Sequence, residues 1–452
     1  MHKMRFATLH CVIWVIGCST MSMAAPISFR EQVAPILMDN CISCHGPKRA
    51  EGGYRVDSFE RMMKAGDSEA VPVTAAKADE SELLRRLVTD DEAERMPLEG
   101  EPIPDPQVAV VKQWIAEGAK YDAENPQAAL ATIIPAPTHP DPPEVYPNAM
   151  PITAIAFRPD GSQVLASGYH ELTVWDAASG KLVNRWKNVG QRTHAIQFSP
   201  DGKWLAVGGG SPGRQGEVRL FEADTGTLVR VMGTTTDVVQ DIAFHPAGDR
   251  LAVAGADSVV RILEVATGKE ILAITSHSDW VFALAWNQDG SQLVSASRDK
   301  TAKVFDAKTG ELLITYAGHG APVKGVAFHP DGKEVFSAGS DKKIHRWKVA
   351  DGKKSADVTT FGGEAYKLTA VGPFMFCGSE DKSIRQFQRA DHKQVRAFTG
   401  HSDWVFANAY HDATKRLAAG GFNGEVKIWN TEDGQEVVSL VAAPGLQTAK
   451  SE

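Results

Sequence analysis

Cysteine is scarce in this chain, with five among 452 residues. Two of them, Cys11 and Cys18, fall in the first 25 residues, which leaves Cys41, Cys44 and Cys377 for the rest. Three thiols cannot build a disulfide framework, so stability has to come from packing. Beyond residue 25 no apolar run approaches the roughly 20 residues that a membrane-spanning helix needs. A basic patch is missing too. Lys and Arg number 48 against 56 Asp and Glu, a net charge of −8, which argues against nucleic acid as a partner. The acidity is concentrated: residues 26–125 hold 20 Asp and Glu against 12 Lys and Arg. Such a surface favours a basic partner by long-range steering and also serves solubility. Histidine is nearly absent from the same stretch, where His45 stands alone.

What is present begins with a leader, "MHKMRFATLHCVIWVIGCSTMSMAA". Lys3 and Arg5 precede a short apolar run, and small residues follow at Ser22 and Ala24, the pattern of an export signal over residues 1–24. Cleavage after Ala24 is the first reading. A lipid on Cys18, in "VIGC", is the second, and only this would tie the chain to a membrane. The mature chain is therefore expected outside the cytoplasm, in a periplasm or beyond.

Residues 26–125 read as a small all-α domain. Ser28 and Glu31 suggest a capping box, with Phe29, Val33, Ile36 and Leu37 on one face behind it. A second helix starts near Asp79 or Ser81 and carries Leu83, Leu84 and Leu87. A third has Asp105 as N-cap, Pro106 as first helical residue and Gly118 as stop. Residues 126–147 contain seven prolines and read as a semi-rigid spacer.

From residue 148 to 443 the chain repeats, with a tail at 444–452. A turn recurs as "AASGK", "ADTGT", "VATGK", "AKTGE", "VADGK", "RADHK" and "TEDGQ", mostly about 42 residues apart. Five residues before each fourth position stands a large apolar group: Trp175, Phe221, Leu263, Phe305, Trp347, Phe387 or Trp429. Each unit carries short alternating strands, so the period predicts seven propeller blades of four strands. The units resemble WD40 repeats, with "GH" at Gly318 and Gly400, "SH" at Ser276, and the turn aspartate at Asp257, Asp299, Asp341 and Asp381. The resemblance implies that His277, His319 and His401 make internal hydrogen bonds rather than bind metal. Two units share "HSDWVFA", which makes Trp280 and Trp404 candidate partner anchors on the face where this family binds proteins. Cys377 reads as a buried small hydrophobe.

The chemistry sits in Cys41-Ile42-Ser43-Cys44-His45. A dithiol redox site would prefer a βαβ context, and a closed zinc site needs ligands that this region lacks. Two thiols for thioether bonds and His45 as iron ligand use all three residues and agree with export, so a c-type haem is the expected cofactor, one per chain. A sixth ligand has to come from Met38, Met62, Met63 or Met96. Met38 lies three residues before Cys41, and Met62 and Met63 lie in an apolar cluster, so these three read as packing. Met96 sits in the polar loop "DDEAERMPLEGEPIPDP" and is the candidate. A His/Met pair leaves iron no open position, which suits electron transfer.

"CISCHGP", "GGYRVDS", "RMP" and "VVKQWIAEGA" resemble the planctomycete-type cytochrome c domain, over about residues 27–119. The resemblance implies thioethers at Cys41 and Cys44, axial His45 and distal Met96. One departure is Val73 in "AVPVTAAKADES", where the family has a glycine after proline. The expected protein is thus multidomain: an all-α cytochrome c domain and an all-β seven-bladed WD40-type propeller. The expected role is an electron carrier that docks redox partners rather than a catalyst. The competing readings are an oxidoreductase with a second cofactor in the propeller and a haem-based redox sensor or scaffold.

Overall fold

A computed structural model describes residues 25–46, 49–98, 100–135 and 138–446. The leader, with Cys18 and the cleavage point after Ala24, and residues 447–452 lie outside the described residues. The chain divides into two compact units, Met1–Pro137 and Thr138–Glu452.

The first unit is helical. Ser28 Oγ accepts the Glu31 N–H at 3.0 Å, as a cap should. The reciprocal bond, however, comes from Gln32, whose Oε1 accepts the Ser28 N–H at 3.0 Å. The cause is a π-helical turn, Phe29–Val33, in which Ala34 N–H reaches back to the Phe29 carbonyl. Pro35 follows and has no N–H to give to Glu31, so the chain enters helix α1 (Ala34–Asn40) through a widened turn. A short α2 (Phe59–Met62) is capped by Ser58. Helix α3 (Glu82–Val88) buries Leu83, Leu84 and Leu87, as the spacing predicts. Helix α4 (Asp105–Ala116) starts one residue earlier than expected, with Asp105 already helical and Pro104 before it. Its core anchor is Trp114, which is fully buried beside Phe29 with ring centres 5.4 Å apart. Val73, the departure from the family pattern, is buried in this core.

The proline-rich 126–147 stretch does not run as one spacer. Its first part belongs to the helical unit: α5 (Leu130–Ile133) buries Leu130 in the core, and the Pro126 carbonyl accepts from Glu60 N–H at 2.9 Å. Its last part is a strap on the propeller. Arg185 donates to the Pro143 and Glu144 carbonyls at 2.6 and 3.1 Å, and Tyr146 N–H bonds the Pro444 carbonyl at 3.1 Å. Proline offers no donor but keeps its carbonyl, so such a segment is pinned by accepting bonds.

The second unit is a seven-bladed β-propeller of four-stranded antiparallel sheets, each built from consecutive strands. Blade 1 runs through Ile155–Phe157, Gln163–Ser167, Glu171–Asp176 and Leu182–Lys187. Blade 4 runs through Val281–Trp286, Gln292–Ser297, Ala302–Asp306 and Leu312–Tyr316, and blade 7 ends on Glu436–Val441. The recurring turn requires a left-handed residue. Glycine supplies it in six blades, and His392 adopts φ 53° in the other. No strand is shared between blades 1 and 7. Ile152 N–H bonds the Gly421 carbonyl at 3.0 Å, and Ile152, Ile155, Trp175, Ala418, Val426 and Ile428 form one hydrophobic core across the seam.

Candidate functional site

Helix α1 delivers the chain to Cys41, whose N–H closes on the Leu37 carbonyl at 2.9 Å. One more turn follows: Cys44 and His45 N–H both reach the Cys41 carbonyl, at 3.3 and 2.9 Å. Residues at i, i+3 and i+4 share a face, so this turn gathers both thiols and the imidazole. The chain then folds back. Val56 N–H bonds the His45 carbonyl at 2.8 Å, and Glu51 N–H bonds the Cys44 carbonyl at 3.1 Å.

That return places the Tyr54 carbonyl 3.3 Å from His45 Nδ1. With the proton on Nδ1 directed to that carbonyl, Nε2 keeps its lone pair, and it has no hydrogen-bond partner among the described residues. The Tyr54 ring stands edge-on to the imidazole at 5.5 Å, and its hydroxyl donates to the Met62 carbonyl at 3.0 Å. Burial pushes the Tyr54 hydroxyl up from its ordinary pKa. Burial also pushes the Cys41 thiol up to about 12, with Cys44 adding to it, so Cys41 is protonated at neutral pH.

Met96 approaches the same core from the loop after α3. It borders the hydrophobic cluster that Cys41, Ile42 and Tyr54 also border. Met38 and Met63 line that perimeter as well, from α1 and from the end of α2, while Met62 is fully buried. The Met96 N–H bonds the Arg86 carbonyl at 2.8 Å. One ion pair ties the loop to α3, Arg85 to Glu94 at 2.5 Å, and within α3 Glu82 receives Arg85 and Arg86, each at 2.7 Å. Among these partners the sequence reading missed the Tyr54 carbonyl and the Arg85–Glu82–Arg86 triad. The first is a backbone atom and leaves no sequence signal. The second was legible as Glu82 at i, i+3 and i+4 from two arginines.

In the propeller the histidines sit inside blades. His277 bonds Asp299 at 2.7 Å and Ser295 at 2.6 Å. His319 bonds Asp341 and Ser337, both at 2.8 Å, and Trp347 Nε1 donates to the same Ser337 at 3.1 Å. His345 stacks on His319 with ring centres 4.1 Å apart. His319, Asp341 and His345 are close enough to chelate, but His345 Nδ1 is taken by Tyr316 at 2.8 Å, and two stacked rings do not aim their in-plane lone pairs at one point. Burial, with His319 adding to it, pushes the His345 pKa down to about 4. Cys377 is fully buried. Trp280 and Trp404 are each 38% exposed, in turns where Asp279 and Asp403 accept their N–H groups at 2.8 Å. Arg298 lies over the Trp280 ring at 4.9 Å, and Phe422 lies 5.7 Å from Trp404.

A Cys-x-x-Cys-His turn in a helical unit, followed by seven blades of which two carry a histidine–serine network, defines a cytochrome c-like domain joined to a WD40 propeller. Residues 41–100 match the family model "Planctomycete cytochrome C", which points to a c-type haem. Residues 268–306, 310–348 and 392–430 match "WD domain, G-beta repeat", and residues 231–283 match "Anaphase-promoting complex subunit 4 WD40 domain". Two curated relatives are each 29% identical over 98 residues, 22% of this chain. They are the meiotic recombination protein rec14 of Schizosaccharomyces pombe (strain 972 / ATCC 24843) and the intraflagellar transport protein 122 homolog of Danio rerio. The matches span 31% and 8% of those proteins.

Proposed function

We propose that this is an extracytoplasmic electron-transfer protein. One c-type haem would be held by thioethers to Cys41 and Cys44, with His45 and Met96 as protein ligands to its iron, and the propeller would serve as a docking platform. The observation that carries the reading is the His45 arrangement: two thiols on its own turn, Nδ1 engaged by the Tyr54 carbonyl, and Nε2 without a hydrogen-bond partner among the described residues. That donor set fits a thioether-linked, imidazole-ligated haem. The bound group supplies a one-electron couple. The protein's residues do the rest: Tyr54 orients the imidazole, the α1–α4 core excludes water, and the Arg85–Glu94 ion pair holds the Met96 loop against α3. Export follows from the leader pattern. Trp280 and Trp404 offer aromatic anchors on one propeller face.

A reduced-minus-oxidised spectrum of the purified full chain tests the reading. A reducible c-type spectrum is expected, and C41S/C44S removes the covalent attachment. Met96→Leu lowers the reduction potential and alters the spectrum, because a thioether favours ferrous iron. Carbon monoxide binding by the reduced wild type would instead favour the sensor reading, since it requires a weak or absent sixth ligand.

A further inference from the structure

The innermost strands of the blades line a central channel with a cavity of ≈ 720 Å³. One register position of these strands departs from its repeat. It is the residue of the innermost strand just after its bulge. Ala195 pairs there with Gly208, Ala283 with Ala296, Gly325 with Ala338 and Ala407 with Gly420. Two blades carry charges instead. Asp241 pairs with Ala254 in blade 3, and Lys367 occupies the slot before Leu368 in blade 6. The charges are of opposite sign, and they meet: Lys367 Nζ lies 2.6 Å from Asp241 Oδ1. The partners are 126 residues apart, on blades nearly opposite each other in a ring of seven, and both line the cavity.

The pair is built in at both ends. Asp241 is 2% exposed, and its other oxygen accepts the Leu284 N–H of blade 4 at 3.0 Å. Asn408 of blade 7 donates to the Lys367 carbonyl at 3.1 Å. Small side chains at the neighbouring positions leave room for one long side chain to cross. We propose that Asp241 and Lys367 form a bar across the channel, which holds blades 3 and 6 at a fixed separation and closes the channel to through-passage. This does not depend on the haem reading.

Cys377 is a native reporter. It pairs with Leu368, the residue after Lys367, and its thiol is fully buried. Its labelling by a thiol reagent therefore requires blade 6 to open, and peptide mapping by mass spectrometry separates it from the other cysteines. Lys367→Met leaves the buried Asp241 without a counter-charge, which is the costly way to break such a pair. K367M is expected to label Cys377 faster by at least about tenfold. D241N/K367M, with no charge left to compensate, is expected to label more slowly than K367M. Labelling of K367M at the wild-type rate overturns the proposal, as does a double variant that labels as fast as K367M. If K367M does not fold, a double variant that folds and labels within a few-fold of wild type supports the bar, and one that also fails to fold overturns it.

Discussion

The same histidine position is solved differently in three blades, and substitutions at its partners make the difference. In blade 5, Ser337 takes both His319 Nε2 and Trp347 Nε1. In blade 4, Ser295 takes His277, but Phe305 has no indole to add. Blade 7 has Ala419 at this register, and His401 Nε2 is buried without a partner. Its Nδ1 is held by Glu425 at 3.0 Å, because Asn423 stands where the other blades have aspartate. A buried polar atom without a partner costs about 1–3 kcal/mol. Ala419→Ser is therefore expected to stabilise the propeller by about 1 kcal/mol, read as a higher urea midpoint at unchanged slope. Ser337→Ala strips two partners at once and is expected to cost about 1–3 kcal/mol in the same measurement. If both substitutions leave the midpoint unmoved, these networks add nothing to stability.

Among the elements, the Met96 loop and the strap show how much was readable in advance. Helices α1, α3 and α4 followed from apolar spacing, and the seven blades followed from the period of one turn. The π-turn before Pro35 was not legible, because a capping box reads the same whichever of two neighbouring side chains swings under it. The strap was not legible either, since proline content predicts an extended chain but not the surface that receives it. Its anchor is Glu171, which is fully buried between Arg185 at 2.6 Å and the Tyr146 hydroxyl at 2.7 Å. Arg185→Ala leaves that carboxylate unpaired and frees two strap carbonyls. A loss of about 3–5 kcal/mol is expected, with faster proteolysis within residues 138–147. Helix α3, which carries Arg85, the loop's ion-pair anchor, depends on pH instead. Hydrogen bonds from Arg85 first, then Arg86, hold Glu82 down at about 2, below its ordinary 4.5. A depressed carboxylate stabilises the fold fully above its ordinary value, and that contribution fades as pH falls toward 2. Glu82→Gln is expected to cost on the order of 1–3 kcal/mol near neutral pH and almost nothing at about pH 2, read by thermal melts of the helical unit at both.

For the whole molecule, charge is the property that no single contact explains. The net −8 of residues 26–125 equals that of the entire chain. Part of it, Asp90, Asp91 and Glu92, lies exposed six or fewer residues before Met96. If acidity served solubility alone, its position would not matter. If it steers a basic redox partner to the cytochrome c-like unit, position and salt both matter, because exposed charges act over about 10 Å at 0.1 M ionic strength and over about 3 Å at 1 M. Asp91 Oδ1 accepts the Ala93 N–H at 2.9 Å, and the triple variant D90N/D91N/E92Q keeps an amide oxygen there to accept it. The Glu94–Arg85 pair is left alone. With a small basic c-type cytochrome as probe, the variant's association rate is expected to fall several-fold below wild type at low salt. The two rates should converge as salt rises, since screening removes what the substitutions remove. Stopped-flow traces at a series of salt concentrations decide the matter, and parallel curves at every ionic strength would assign the acidity to solubility.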